Sequence, residues 1–248
     1  MRTIRAAAHV HSDWSYDASW PLPDLARAFA RRGYDVVLMA EHDRGFDAER
    51  WAAYRMTCAA ASSDRILLVP GMEYEDADNI VHVPVWGEEA PYLGHGRPTR
   101  EILEAARESD AVAVLAHPWR RGAVERFDPD WVPFLAAVEI WNRHYDGVAP
   151  NPGGRRFAEQ HGLPPFVSLD FHSRRQFFPL AMELEIDGQV TAQAVYEALR
   201  AGRFRPAALR VSALRFTGGL PGTTMRGLER SRRALRGPVR RLERAVRR

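Results

Sequence analysis

The chain has 248 residues, of which 46% are hydrophobic and 27% are charged, and its formal net charge is +3. This hydrophobic content excludes a disordered chain, and a lone cysteine, Cys58, excludes a disulfide framework within one chain. The sequence has no apolar run of about 18 residues and no apolar leader after Met1, so we expect a cytoplasmic protein.

Short apolar stretches alternate along the chain with amphipathic ones. The apolar stretches predict strands at 4–10, 35–40, 66–71, 80–85, 111–116, 137–141, 166–169 and 181–186. The amphipathic stretches predict helices at 22–33, 47–62, 98–109, 154–161 and 191–201. Strands that alternate with helices indicate a parallel sheet or barrel. The length of residues 1–216, which we predict to form one domain, favours a small or distorted (β/α) barrel.

Nearly every predicted strand ends in a histidine or a carboxylate. These residues are His9, His11, Glu41, His42, Glu73, His117, Glu139, Asp170 and His172. In parallel α/β folds the carboxyl ends of the strands meet at one rim, where ligands bind and catalysis occurs. The sequence therefore predicts a site at this rim.

The residue types at the rim are those of a metal site. Imidazole nitrogens and carboxylate oxygens bind Zn, Mn or Fe. His9 and His11 are two residues apart, and so are Asp170 and His172, which places each pair on one face of a strand. A carboxylate such as Glu73 can bridge two cations at the spacing used for displacement at phosphorus, and a bound cation acidifies water. We predict a metal-dependent hydrolase.

Taken in chain order, the motifs that contain these residues resemble those of the polymerase and histidinol phosphatase (PHP) family over most of residues 3–186. The matching motifs are His9-Val10-His11-Ser12-Asp13 with Asp17, Ala40-Glu41-His42, Gly71-Met72-Glu73, His82, Ala116-His117-Pro118, Glu139-Ile140-Trp141-Asn142, and Ser168-Leu169-Asp170-Phe171-His172. Three positions depart from the usual pattern. Glu41 replaces an aspartate, Asp17 is an accepted alternative to a histidine, and Ser168-Leu169-Asp170 lacks the usual Gly-Ser.

The resemblance implies a distorted (β/α)7 barrel that holds three divalent cations, Zn, Mn or Fe. It assigns His9, His11, Glu73 and Asp170 to the first cation. The second cation shares Glu73 and adds His82 and His117, and the third has Asp17, His42 and His172. The residues predicted to be catalytic are His9, His11, Glu73, His117, Asp170 and His172. Glu41 and Glu139 are expected to support these ligands, although Glu139 is equally compatible with a structural role.

Four arginines follow strand ends that carry ligands and are candidates for binding phosphate: Arg44, Arg120, Arg143 and Arg174. Each is also compatible with an ordinary solvated surface, because the chain has 35 basic residues and all are arginine. His95, His144 and His161 match no motif and are assigned no role, although His144 is a candidate pocket residue.

Residues 217–248 form a basic tail, with ten arginines and two glutamates in 225–248. Apolar residues recur there at near-helical spacing, at Leu228, Leu235, Val239, Leu242 and Val246. A helix on an anionic membrane surface, an arm on a polyanion such as nucleic acid, and a disordered end are all compatible with this pattern. We infer no obligate protein partner, and we expect the protein to be cytoplasmic or peripheral to the membrane.

The favoured function is hydrolysis of a phosphomonoester or phosphodiester, with a small phosphorylated molecule as the substrate. One alternative is a metal-dependent hydrolase of amide or ester bonds. The lysine that amidohydrolase-like barrels usually carry is missing from this sequence, which argues against that alternative. The second alternative is a non-catalytic metal-binding protein that docks through its tail. The complete set of nine ligands argues against it, because a site without a catalytic role would not need so many.

Overall fold

A computed structural model of the protein describes residues 1–88 and 90–246, except for the side chains of 236–246. The strands are β1 (Arg2–Val10), β2 (Val36–Met39), β3 (Glu41–His42), β4 (Leu67–Val69), β5 (Met72–Glu75), β6 (His82–Trp86), β7 (Val112–Leu115), β8 (Leu135–Asn142), β9 (Pro165–Ser168), β10 (Leu180–Ile186), β11 (Phe204–Ala208) and β12 (Val211–Ser212). The helices are α1 (Leu22–Ala30), α2 (Ala48–Ala61), α3 (Thr99–Glu108), α4 (Gly154–His161), α5 (Ala192–Arg200) and α6 (Gly219–Val246).

Seven strand segments close into a ring. β1, β2 and β4 are parallel, β2 continues into β3 and β4 into β5, and β7, β8 and β9 are again parallel. The ring closes because the residues after β9 form backbone hydrogen bonds with the end of β1. Leu169 donates its backbone N–H to Ala8, and Phe171 donates to His9, both at 3.0 Å. The prediction of a distorted (β/α)7 barrel is confirmed.

The distortion lies mainly in β6, which is antiparallel to both β5 and β7. Only residues 76–81 connect β5 to β6, and a parallel crossover needs about a dozen residues. Our expectation of parallel strands is therefore wrong for β6. As a consequence, the first residue of β6, His82, lies at the rim where the neighbouring strands end.

A second group of strands extends the sheet outside the ring. β10 pairs antiparallel with the first half of β1, and β11 and β12 follow it. The strand predicted at 181–186 is present, whereas β11 and β12 were not predicted. Pro206 in the middle of β11 explains why, since proline usually marks a segment that is not a strand.

Helices pack against the outside of the ring through an apolar face. In α1 that face consists of Leu22, Leu25, Ala26 and Phe29, at the spacing of helical turns, and all four are buried. Asp47 caps α2 by accepting a hydrogen bond from the Arg50 backbone N–H at 2.7 Å. Five helices lie where the sequence predicts them, with ends shifted by up to three residues.

Much of the predicted tail is helix α6, and its first part contacts the barrel. Met225 and Glu229 are buried, and Glu229 accepts a hydrogen bond from the backbone of Val148 at 3.0 Å. Leu228 and Leu235 are exposed, and the side chains of Val239, Leu242 and Val246 lie outside the described residues. None of the helices described here is both long and apolar enough to cross a membrane.

Candidate metal centre

The strand ends bring all nine predicted ligands to one rim of the barrel. They come from the end of β1 and the loop after it, from β3, β5 and β6, and from the residues that follow β7 and β9: His9, His11, Asp17, His42, Glu73, His82, His117, Asp170 and His172. Eight of them are buried or nearly so, and the Asp17 side chain is 39% exposed. The cluster is therefore inside the protein and opens to solvent beside Asp17.

Glu73 lies at the middle of the cluster and is 1% exposed. Five imidazole nitrogens lie within 3.6 Å of its two carboxylate oxygens, on His9, His11, His42, His82 and His117. Gly71 allows this placement, because a Cβ there would lie 2.3 Å from the Trp86 ring and 2.4 Å from the Met39 carbonyl. One carboxylate that faces so many imidazoles has the position expected of a bridge between cations.

Asp17, His42 and His172 have the mutual spacing of ligands to one ion. The Asp17 Oδ2 atom is 3.4 Å from His42 Nε2 and 3.2 Å from His172 Nε2, and the two nitrogens are 3.5 Å apart. Donors about 2.1 Å from a tetrahedral zinc are separated by about 3.4 Å. This is the set that the resemblance assigns to the third cation.

Two further groups of donors are compact and overlap the other two predicted sets, although the second of these groups contains His9 where the prediction has His82. His9, His11 and Asp170 can offer donor atoms that lie within 4.8 Å of one another, and so can His9, Glu73 and His117. His82 reaches Glu73 through Nδ1 at 2.8 Å. His9 lies between the two sets, which brings neighbouring cation positions close together.

Several buried nitrogens lack the hydrogen bonds that burial normally requires. His9 Nε2, His11 Nε2 and His82 Nε2 have no hydrogen-bond partner among the described residues, although the first two face carboxylates at 3.1 to 3.9 Å. An unsatisfied buried polar atom costs about 1–3 kcal/mol. A cation bound by these nitrogens would remove that cost, so the residues present fit divalent metal ions.

The backbone is strained at three of the ligands. His9, His117 and Asp170 have φ angles of 60°, 25° and 46°, a region that side chains other than glycine rarely adopt. Each such residue costs roughly 1–3 kcal/mol, and such strain is typical of functional sites. At His9 the ladder between β1 and β2 also shifts register. The simple alternation expected for His9 and His11 is therefore interrupted, yet their ring centroids are only 5.1 Å apart.

Glu139 orients a ligand rather than facing the centre. Its Oε1 lies 2.9 Å from His9 Nδ1, and its Oε2 accepts hydrogen bonds from the His117 backbone at 2.9 Å and from Asn142 Nδ2 at 2.8 Å. A carboxylate on one imidazole nitrogen leaves the other nitrogen available to a cation. The geometry thus favours the supporting role over a purely structural one.

Glu41 supports two of the ligands indirectly, through hydrogen bonds to neighbouring serines. It accepts hydrogen bonds from the Ser12 backbone at 3.0 Å and from Ser15 Oγ at 2.5 Å. Ser15 Oγ in turn lies 3.2 Å from His11 Nδ1 and accepts a hydrogen bond from the His42 backbone at 3.1 Å. Glu41 therefore positions two ligands through Ser15.

Two residues of the site were not predicted as ligands. Glu75 Oε1 lies 2.8 Å from His42 Nδ1, and His144 Nδ1 lies 3.6 Å from Asp170 Oδ1. The signal for Glu75 was present, because it is two residues beyond Glu73 and therefore on the same face of β5. His144 lies in the loop after β8, and the sequence indicated only that it could reach the pocket.

Charge in the metal-free cluster is shared between carboxylates and imidazoles. Burial lowers the pKa of His9, but Glu73, Asp170 and Glu139 outweigh it and raise that pKa well above its usual value. For Glu73 and Asp170, burial raises the pKa, but the facing histidines dominate and lower both pKa values well below the usual range. At His11 and His117, by contrast, burial dominates and lowers the pKa. The cluster therefore holds ionised carboxylates, and some of its imidazoles, such as His9, carry a proton that a cation would displace.

The four candidate arginines have different surroundings. Arg120 lies beside the cluster, since it lines a cavity of about 480 Å³ together with His117. Arg44 and Arg174 are exposed, with guanidinium carbons 5.6 Å from the Tyr16 ring and 4.9 Å from the Trp20 ring. Arg143 is buried and donates to the Arg175 carbonyl at 3.1 Å. Arg120 is thus the best placed of the four to meet a substrate.

No protein-family model and no curated protein matches the sequence. Several solved structures share its fold, among them these three. A two-domain protein from Bacteroides vulgatus, containing a predicted PHP-like metal-dependent phosphoesterase, is 18% identical with a TM-score of 0.64, over 84% of this chain and 65% of that one. PsfC from Pseudomonas syringae is 15% identical with a TM-score of 0.62, over 92% and 100%. The lesion-specific endonuclease PfuEndoQ from Pyrococcus furiosus is 17% identical with a TM-score of 0.55, over 84% and 59%.

The chain therefore spans less than two thirds of the length of two of these proteins. At these identities the comparisons establish the fold, and the predicted PHP-type fold is confirmed.

Proposed function

We propose that the protein is a PHP-type metal-dependent phosphoesterase that hydrolyses a phosphomonoester or phosphodiester at a centre of three divalent cations, Zn, Mn or Fe. The observation that carries the proposal is the convergence of five imidazoles on the buried carboxylate of Glu73, within a cluster of nine donor residues that includes unpartnered imidazole nitrogens. The fold shared with phosphoesterase-type proteins supports the same assignment.

The cations would be held by the three sets that the resemblance assigns, with Glu73 shared between the first two. Divalent cations in such a site acidify water and neutralise phosphate oxygens. Glu139 keeps His9 oriented and Asn142 donates to Asp170 Oδ2 at 3.2 Å, so two ligands are held in place before any substrate arrives. Asp17 is the exposed member of the cluster, which makes its side the approach for substrate.

Residues around the opening would bind the rest of the substrate. Arg120 is in place beside His117, and Arg44 and Arg174 lie on exposed surface where a guanidinium can turn toward a phosphate. For Arg143, whose side chain is buried, contact with substrate would need a movement. Substrate binding by these four arginines is part of the proposal.

The test is a hydrolysis screen of the full-length protein after loading with Mn²⁺ or Zn²⁺, with metal analysis on the same sample. The panel contains 4-nitrophenyl phosphate, bis(4-nitrophenyl) phosphate, sugar phosphates, nucleotides, a carboxylic ester and an amide. We expect turnover of phosphoesters only. Turnover confined to the ester or amide would contradict the proposal, and so would a protein with three bound cations that hydrolyses nothing.

A variant links the activity to the site. His9→Ala should lose both bound metal and turnover, because His9 contributes a donor atom to two of the compact groups. Its φ angle of 60° is also one that alanine rarely adopts. Retention of full activity by this variant would mean that the activity arises elsewhere.

A further inference from the structure

A cavity of about 480 Å³ lies beside the metal centre, between the loops that follow β7 and β8 and helix α6. We call it the α6 pocket. Its lining includes His117, Tyr145, Asp146 and three arginines, Arg120, Arg121 and Arg233. Its volume is in the range of small-molecule sites, about 300–1,000 Å³. His117 belongs to both the cluster and the pocket, so a molecule held at the cations can extend into it.

Positive charge dominates the lining of this pocket. Three arginines face one carboxylate, Asp146. That carboxylate already accepts hydrogen bonds from the Asn142 backbone at 2.8 Å and from Asn151 Nδ2 at 3.2 Å. Arg233 pairs with Glu229, which lies outside the lining, whereas Arg120 and Arg121 form no ion pair among the described residues. The pocket therefore keeps an excess of positive charge, which suits an anion.

Tyr145 and Glu229 hold two of the arginines in position. The Tyr145 hydroxyl accepts a hydrogen bond from Arg120 Nε at 2.9 Å, and its carbonyl accepts one from Arg233 Nη2 at 3.2 Å. Glu229 accepts from Arg233 Nε at 2.6 Å. The Tyr145 ring also packs against His117, with centroids 4.8 Å apart. These contacts connect α6 to the metal centre and fix the guanidinium groups near it.

We propose that the α6 pocket binds a second oxyanion of the substrate, a carboxylate or phosphate other than the group that is hydrolysed, and that Arg233 determines this specificity. The inference rests on the proposed function. The reacting phosphate meets the cations, so it does not need three further arginines in a separate cavity. Guanidinium groups bind carboxylate and phosphate oxygens in pairs, which a second oxyanion can use.

Matched substrates test the pocket in the metal-loaded, full-length protein. Fructose 1,6-bisphosphate and fructose 6-phosphate differ by a phosphate, and phosphoserine and phosphoethanolamine differ by a carboxylate. In at least one pair, the wild type should have the higher kcat/KM for the member that carries the second oxyanion group. The pair that shows this preference identifies the oxyanion as a phosphate or a carboxylate. In Arg233→Ala that preference should fall about tenfold or more, mainly through KM, as expected for a lost charge-assisted hydrogen bond.

Arg232→Ala is the matched control. Arg232 makes the same ion pair with Glu229, at 2.6 Å, but is not among the described residues that line the pocket. Its substrate preference should stay within about twofold of the wild type. Equal preference in the wild type and Arg233→Ala, or equal losses in Arg232→Ala and Arg233→Ala, would overturn the inference. If Arg233→Ala does not fold, Arg121→Ala, which removes another arginine of the lining, provides the same test.

Direct binding separates failure of the pocket from failure of the proposed function. If no phosphoester is hydrolysed, the proposed function fails, and calorimetry then measures the affinity for fructose 1,6-bisphosphate. Weaker binding by Arg233→Ala than by Arg232→Ala would still support the pocket. Equal binding by the wild type and both variants would overturn it.

Discussion

The buried cluster and the arginines around it are built in different ways. The cluster side chains come from strand ends, where the backbone fixes their direction, and Glu73, His9 and Asp170 are at most 2% exposed. The arginines lie in loops or on α6, and their surroundings range from the buried Arg143 to the exposed Arg44. Ligand positions therefore follow from strand geometry, whereas the arginines proposed to contact substrate are placed by loops and by α6.

The largest effect should come from Glu73→Gln, because Glu73 faces five imidazoles and is assigned to two cations. Its pKa is lowered well below the usual range, since the facing histidines outweigh burial, so the natural side chain is ionised. We expect loss of bound metal and a loss of turnover of about a thousandfold or more, measured by metal analysis and phosphate release. Circular dichroism checks that the variant is folded. A folded variant with unchanged metal content would show that Glu73 is not a metal ligand and would contradict the distinction between the cluster and the arginines around it.

A smaller effect is expected for Glu139→Gln, which keeps the shape of the side chain but weakens its hold on His9. Loss of such an orienting group typically costs about 10–100-fold in metal affinity or activity. Metal titration should detect this loss. Glu41→Gln, which reaches His11 only through Ser15, is the comparison and should lose less. The opposite order would contradict the roles assigned here.

Metal loading should release protons near neutral pH. Burial lowers the pKa values of His9 and His172, but nearby carboxylates outweigh it and raise both, so these imidazoles carry protons in the metal-free protein. Cations must displace those protons, and acidification should therefore weaken metal binding. Calorimetry in buffers with different ionisation enthalpies measures the release. No release at pH 7 would contradict the charge distribution described for the cluster.

The smallest effects are expected at the exposed arginines. Arg44→Ala and Arg174→Ala each remove a solvated guanidinium, and interactions of exposed charges are worth about 0–1 kcal/mol. Changes in KM should stay within about fivefold, with kcat unchanged. A loss of a hundredfold in either variant would place that residue in the substrate site proper and weaken the contrast between the two regions.

The sequence could predict the cluster because its spacing rules are local. A ligand at the end of an apolar strand reaches the common rim, which places His9, Glu73 and Asp170 without knowledge of the tertiary structure. The reversed direction of β6 was harder to predict, since it depends on the short connection after β5. The contact between Arg233 and the Tyr145 loop joins residues 88 positions apart, and no local pattern indicates it.

We propose that one buried site holds three cations and hydrolyses a phosphoester. This proposal is tested most directly by adding Mn²⁺ or Zn²⁺ stepwise to the metal-free protein while bound metal and 4-nitrophenyl phosphate hydrolysis are measured on the same sample. We expect turnover to rise with loading, to level off at three cations per chain and to disappear after chelation. Saturation at a single cation, or activity that survives chelation, would contradict the account.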